Sequence, residues 1–336
     1  MAALLPLAFW AAVSLPAMEV VPGLNVKELV DSADLVVCGV AREATQGGRT
    51  TLRNSGREVP AQVMITDVAV ESTLKGSTGL RLIRVRFLVP EGSRLGFGPL
   101  LPGQVRMFFL KTAGPDFEFV SPYYPSIVGV TGPGPSGATP LERVANALQA
   151  VLDSLHSSKV HQREAILALQ RAPTPAAIQA LRKALRIEDR TLQFDAAVGL
   201  LLAGDLVGLR FAEPILLADS SAASANELHN LRYGLSQGRW SDSTTSGLTK
   251  LLRSSVPANR RAAALALAEM GSATAIPLLA EALADGDEEV RFEAVRGLAK
   301  ATGEYSQSTS PTASASDQQK YIDYWKNWAR TRGIIK

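Results

Sequence analysis

Few side chains in this chain have the types and spacing for chemistry. One cysteine, Cys38, and three histidines, His156, His161 and His229, occur in 336 residues. Cys38 lies in the apolar run Leu35-Val36-Val37-Cys38. It lacks the basic or helix-N-terminal setting that activates a thiol, so it reads as a small core hydrophobe. His156 and His161 stand five apart, off a common helical face, and no HExxH occurs. They read as solvated helix-end residues. Asp285-Gly286-Asp287-Glu288-Glu289 is acidic, but it lacks the length and ligand period of a calcium loop and reads as a turn. Gly132-Pro133-Gly134-Pro135-Ser136-Gly137 matches GxGxxG, yet its prolines remove amide donors that a phosphate needs. No GxSxG or P-loop is present. The sequence therefore predicts no catalytic residue, no cofactor and no metal.

Binding chemistry is better represented. Arg182, Lys183 and Arg186 lie on the polar side of Ile178, Leu181 and Leu185, and Lys250 and Arg253 flank Leu251-Leu252. These five cations are the predicted partner-binding residues, suited to an acidic protein, glycan or lipid surface; the plainer reading is a solvated basic face. A net charge of +3 is too small to predict nucleic acid binding by itself.

The elements that would carry those cations repeat. Ala165/Ala168/Leu169, Ala196/Gly199/Leu200, Leu231/Gly234/Leu235, Ala263/Ala266/Leu267 and Ala294/Gly297/Leu298 recur at intervals of about 31, 35, 32 and 31 residues. The clearest unit has one helix from Arg260 to Met270, stopped by Gly271, and a second from Ala273 to Leu283. A helical face of Leu141, Val144, Leu148, Val151, Leu152 and Leu155 precedes the array. Beyond it, Ser306 to Ser316 reads as a flexible loop. Asp317 to Arg332 reads as a helix whose Tyr321, Trp325 and Trp328 cap the open end of the array.

The first half has a different period. Asn25-x-x-Glu28 predicts a short helix to Ser32. Strands are predicted at 33–42, 62–71, 80–87, 105–110, 117–120 and 127–130, with an irregularity at Thr66-Asp67. Ala2 to Leu15 is apolar and uncharged, and residues 1–17 read as a signal peptide although no Lys or Arg precedes the run. The expected organisation is a leader at 1–17, a small β-barrel or sandwich at 18–130, a linker at 131–140, an α-solenoid at 141–303, a loop at 304–316 and a capping helix at 317–332.

The repeat units, and above all Asn259 to Asp285 with the following Asp287-Glu288-Glu289-Val290-Arg291-Phe292, resemble short HEAT repeats of the lyase-like kind. In that family an arginine at the position of Arg291 pairs with the preceding acidic turn, which here implies Asp285 or Asp287. The β half, with Ala33-Asp34-Leu35-Val36-Val37, Leu74-Lys75-Gly76 and Phe108-Phe109-Leu110, resembles OB-like domains of the netrin type. It lacks their cysteines, so protease inhibition is not implied. Taken with the apolar leader and the lack of a catalytic motif, these resemblances imply an exported, periplasmic or extracellular scaffold of the bacterial envelope that is not an enzyme and binds another protein or an acidic envelope surface. The alternatives are a chromophore-lyase-like enzyme and a HEAT-like nucleic-acid binder.

Overall fold

A computed structural model describes residues 25–54, 57–90, 102–121, 124–218, 223–308, 310 and 315–336. The apolar run at 1–17 lies outside the described residues, as do Gly92 and Gly96 to Pro99 and part of the loop at 306–316.

Among the described residues seven strands come first: β1 (Leu35–Ala41), β2 (Thr45–Asn54), β3 (Arg57–Lys75), β4 (Leu82–Pro90), β5 (Val105–Ala113), β6 (Asp116–Phe119) and β7 (Ser126–Val128). They form one sheet in the order β1-β3-β4-β6-β5-β7, and β1 also pairs with β5. The ladder from β1 through β3, β4, β6 and β5 thus returns to β1, with only the β4–β6 pair parallel. Leu35, Val37, Val68, Ile83, Val85, Phe108 and Leu110 fill the inner side of this circuit.

Two expectations for the sheet are corrected. The predicted irregularity at Thr66-Asp67 is absent, and β3 pairs with β4 in unbroken register from Ala61 to Ala69. Thr66 takes a buried place in the row continued by Val68, and its hydroxyl donates to the Arg42 carbonyl at 2.8 Å. The register shifts fall instead in the β1–β3 ladder, between Val36 and Val37 and between Cys38 and Gly39. There a side chain on Gly39 would meet the Ala69 carbonyl oxygen at 2.3 Å. Strand β2 has no counterpart among the predicted strands. Its residues are polar and include paired glycines, so its extension comes from pairing with β3.

Helices fill the rest: α1 (Val26–Ser32) before the sheet, then α2 (Pro140–Asp153), α3 (Lys159–Leu169), α4 (Pro175–Ala184), α5 (Arg190–Leu202), α6 (Leu206–Leu217), α7 (Ala225–Ser236), α8 (Thr245–Leu252), α9 (Pro257–Met270), α10 (Ile276–Ala282), α11 (Glu288–Thr302) and α12 (Ala315–Thr331). The starts follow local chemistry. Asn25, Ser158, Thr174, Asp189, Asp205, Ser224 and Asp287 each accept an amide of the first turn. Gly271, at φ 59°, ends α9 in the left-handed region. Leu155, expected on the face of α2, lies past its end and is 98% exposed.

Helices α3, α5, α7, α9 and α11 form one layer, each packed on the next; α2, α4, α6, α8 and α10 form the other, in which α2 packs closely on α4 and the later steps are looser. The repeating small residues belong to the first layer and set its spacing. A side chain on Gly297 would lie 2.8 Å from the Ala268 Cα, and one on Gly199 2.7 Å from the Gln170 side chain. The outer side of the sheet, through Val36, Cys38, Leu74, Met107 and Phe109, shares one core with Val144, Leu148, Ala165 and Leu169 of α2 and α3. At the other end, Ile322 and Trp325 of α12 are buried in the core that runs back to α5, and Trp325 Nε1 donates to the Gln307 carbonyl at 2.7 Å.

Candidate functional site

Four of the five cations singled out from sequence face carboxylates. Arg182 on α4 meets Asp205, the N-cap of α6, at 2.5 Å, and Lys183 lies 3.5 Å from Asp153 at the end of α2. Lys250 on α8 binds Glu213 of α6 at 2.6 Å. Arg253 makes a two-pronged pair with Glu281 of α10 at 2.8 and 2.7 Å. Arg186 is exposed and has no carboxylate partner among the described residues. The structure therefore does not gather the five into a free basic stripe. Four of them bridge neighbouring second-layer helices.

The acidic turn is likewise engaged from within. Asp285 receives Arg260 through two bonds at 2.8 and 2.9 Å, and Asp287 receives Arg261. Arg291 reaches only the Asp285 backbone carbonyl, at 2.8 Å, because Arg260 and Arg261 already hold both carboxylates. The Arg261 bond, against burial and with help from the backbone amides of α11, holds the Asp287 carboxyl below its usual range. No group of three or more metal-type side chains gathers among the described residues.

The glycine-rich joint offers carbonyls rather than amides to its surroundings. Arg143 donates to Gly137 at 2.9 Å and Asn146 to Ser136 at 2.7 Å. The α2 N-terminus is closed by a reciprocal Thr139–Glu142 capping box. Cys38 is wholly buried, and burial pushes its thiol up. His156 is exposed at the end of α2.

A groove of about 1010 Å³ crosses the other face of the solenoid. Its walls come from α7, α9 and α11, with Gln318 of α12 at one end. The floor carries Tyr233, Leu265 and Phe292, and Tyr233 is 44% exposed. Polar groups are unevenly placed: His229 and Arg232 stand on α7, whereas Glu288, Glu289 and Glu293 stand on α11. Between them, Arg261 is held by Asp287 and Glu289. Burial raises the Glu293 carboxyl, opposed by its pair with Arg296.

Ion pairs join the first-layer helices at successive steps. Arg163 binds Asp195 from α3 to α5, Arg190 binds Glu227 from α5 to α7, and Arg261 binds Asp287 from α9 to α11. The step from α7 to α9 is different. There Arg232 Nε donates to the neutral Asn259 Oδ1 at 2.8 Å, and among the described residues no carboxylate meets this guanidinium. Asn259 is fully buried and fixed by the Leu216 carbonyl at 2.5 Å and Ser254 at 3.2 Å. Burial draws the Arg232 guanidinium below its ordinary value, although an arginine stays charged throughout the physiological range. The groove was not legible in sequence, because its residues come from three repeats. The one available signal was the departure of Leu231 from the repeat pattern, next to Arg232.

No curated protein matches the chain. Among solved structures, an engineered protein shares 22% identity over 58% of this chain and 85% of its own, with a TM-score of 0.25. The complex of CpcE and CpcF of phycocyanin lyase from Nostoc sp. PCC7120 shares 16% over 55% of this chain and 81% of its own, at TM-score 0.29. A designed armadillo repeat protein in complex with the peptide (KR)4 shares 17% over 57% and 77%, at TM-score 0.24. The family model for HEAT repeats matches residues 245–313, so the stretch from α8 through α11 is similar to HEAT repeats.

Proposed function

We propose that the chain is a non-enzymatic protein-binding scaffold that holds its partner in the first-layer groove. The observation that carries this reading is a 1010 Å³ groove spanning three successive repeats, with an aromatic and apolar floor between charged walls. A stacked array gains an extended surface of this kind from its geometry alone. The second-layer cations are the weaker candidate surface, since four of the five already have carboxylate partners. The closed strand circuit is read as a small barrel of the OB type, and its outer face covers the first end of the solenoid.

A photo-crosslinking residue at Tyr233 tests the assignment against one at Arg186. Protein adducts from position 233 and not from 186 are expected; adducts from 186 alone would move the site to the second layer. We further propose that the chain is exported to the bacterial envelope, a reading that rests on the apolar run Ala2 to Leu15. Mass spectrometry of the mature chain is expected to show a new N-terminus near Ala17, and an intact Met1 would remove the envelope setting.

A further inference from the structure

The groove is asymmetric in charge, and that asymmetry specifies a ligand. Arg232 lines one wall without a carboxylate, held in place by a buried asparagine. Glu288, on the opposite wall, is exposed and has no cationic partner among the described residues. Between the walls lie Tyr233, Leu265 and Phe292. Ion pairs tie the neighbouring first-layer steps together from within. At the α7–α9 step a neutral asparagine meets Arg232 through Nε alone, so the charge of the guanidinium is left for a ligand. A guanidinium presents a planar fork that a carboxylate fills with two bonds.

We propose that this groove takes an extended segment of a partner protein bearing an aspartate or glutamate against Arg232, an apolar side chain on the Tyr233–Phe292 floor, and a lysine or arginine toward Glu288. The length follows from helix spacing. Two steps of ~8–10 Å between packed helices correspond to about five extended residues at ~3.3–3.6 Å each. An aliphatic chain carrying a single acid would fill the cationic end but leave Glu288 unmatched. A nucleic acid would bring phosphates onto Glu288 and Glu289. Opposite charges at the two ends, with an apolar middle, fit polypeptide best. This inference rests on the protein-binding reading and narrows it to a sequence class.

The test uses the full chain and fluorescein-labelled octapeptides with blocked ends. Each peptide carries one Asp and one Lys, separated by two to six residues around a central Leu, in both orders, with Asp→Asn counterparts. Anisotropy titration is expected to favour one order at the wider separations, with the Asn peptides weaker by about tenfold or more. Arg232→Gln should lose the same factor and abolish the Asp/Asn difference, and Arg232→Lys should fall between. Arg253→Gln, on the other layer, should change nothing. Glu288→Lys should remove the preference for one order while sparing the Asp/Asn difference. Circular dichroism melting controls for folding, and Glu288→Lys at an exposed site keeps the test valid if Arg232→Gln unfolds. Equal binding of Asp and Asn peptides overturns the proposal. If crosslinks at Tyr233 persist without that dependence, protein binding stands and the charge code falls; loss of both removes the groove reading itself.

Discussion

At the scale of single residues, an ion pair buried on its arginine side joins the sheet to the helices. Arg106 on β5 makes a two-pronged contact with Glu164 of α3 at 2.6 and 2.9 Å, and its side chain is only 8% exposed. The same Arg106 donates to Ser126, and Glu164 also accepts the Val128 amide at 3.0 Å. Removing one member of such a pair strands the other charge away from water. Glu164→Ala is therefore expected to lower stability by about 3 kcal/mol or more, read as a shift in urea midpoint. A change below about 1 kcal/mol would mean that water reaches Arg106 and that the pair is not structural.

At the scale of elements, small residues in the first layer act by proximity. The Cβ added by Gly297→Ala would sit 2.8 Å from the Ala268 Cα and 2.8 Å from Leu279 Cδ1. The leucine end can move, but the α9 backbone must be displaced. The variant is expected to lose about 1–3 kcal/mol despite the better helix propensity of alanine, and an increase in thermal midpoint would contradict this packing. The repeat unit was legible in sequence because the same small residue recurs wherever first-layer helices touch. Strand β2 was not, because its extension is imposed by β3 rather than by an alternating pattern. The shape of the groove was equally hidden, since no single element contains it.

At the scale of the whole molecule, both open ends of the array are covered, one by the sheet through Val36, Met107 and Phe109 and the other by Ile322 and Trp325. Between them runs a ladder of ion pairs from helix to helix. Hydrogen bonds from Lys159 lower the Asp189 carboxyl, those from Lys300 and Arg296 lower Glu269, and the Arg253 bond lowers Glu281. A carboxylate depressed in the folded state adds stability above its unfolded value and loses it as pH falls through its folded value. Burial of Glu293 acts in the opposite sense, but it is outnumbered. The thermal midpoint is therefore expected to hold near neutrality and to fall progressively below about pH 4.5, where ordinary carboxylates begin to protonate. A midpoint unchanged from pH 7 to pH 3 would show that the ladder contributes nothing measurable.

The amino-acid sequence by itself determined the repeat, its small-residue contacts, the capping chemistry of the helices and the aromatic stripe of the last one. Each is a local or periodic property, written within about a dozen residues or repeated at a fixed interval. Only the tertiary structure decided which charges are already matched. Arg182 and Arg232 look alike along the chain, yet one meets Asp205 and the other meets a neutral asparagine. The partners are 23 and 27 residues away. Which acid or amide arrives there depends on how helices of successive repeats stack, and that juxtaposition is absent from any single repeat.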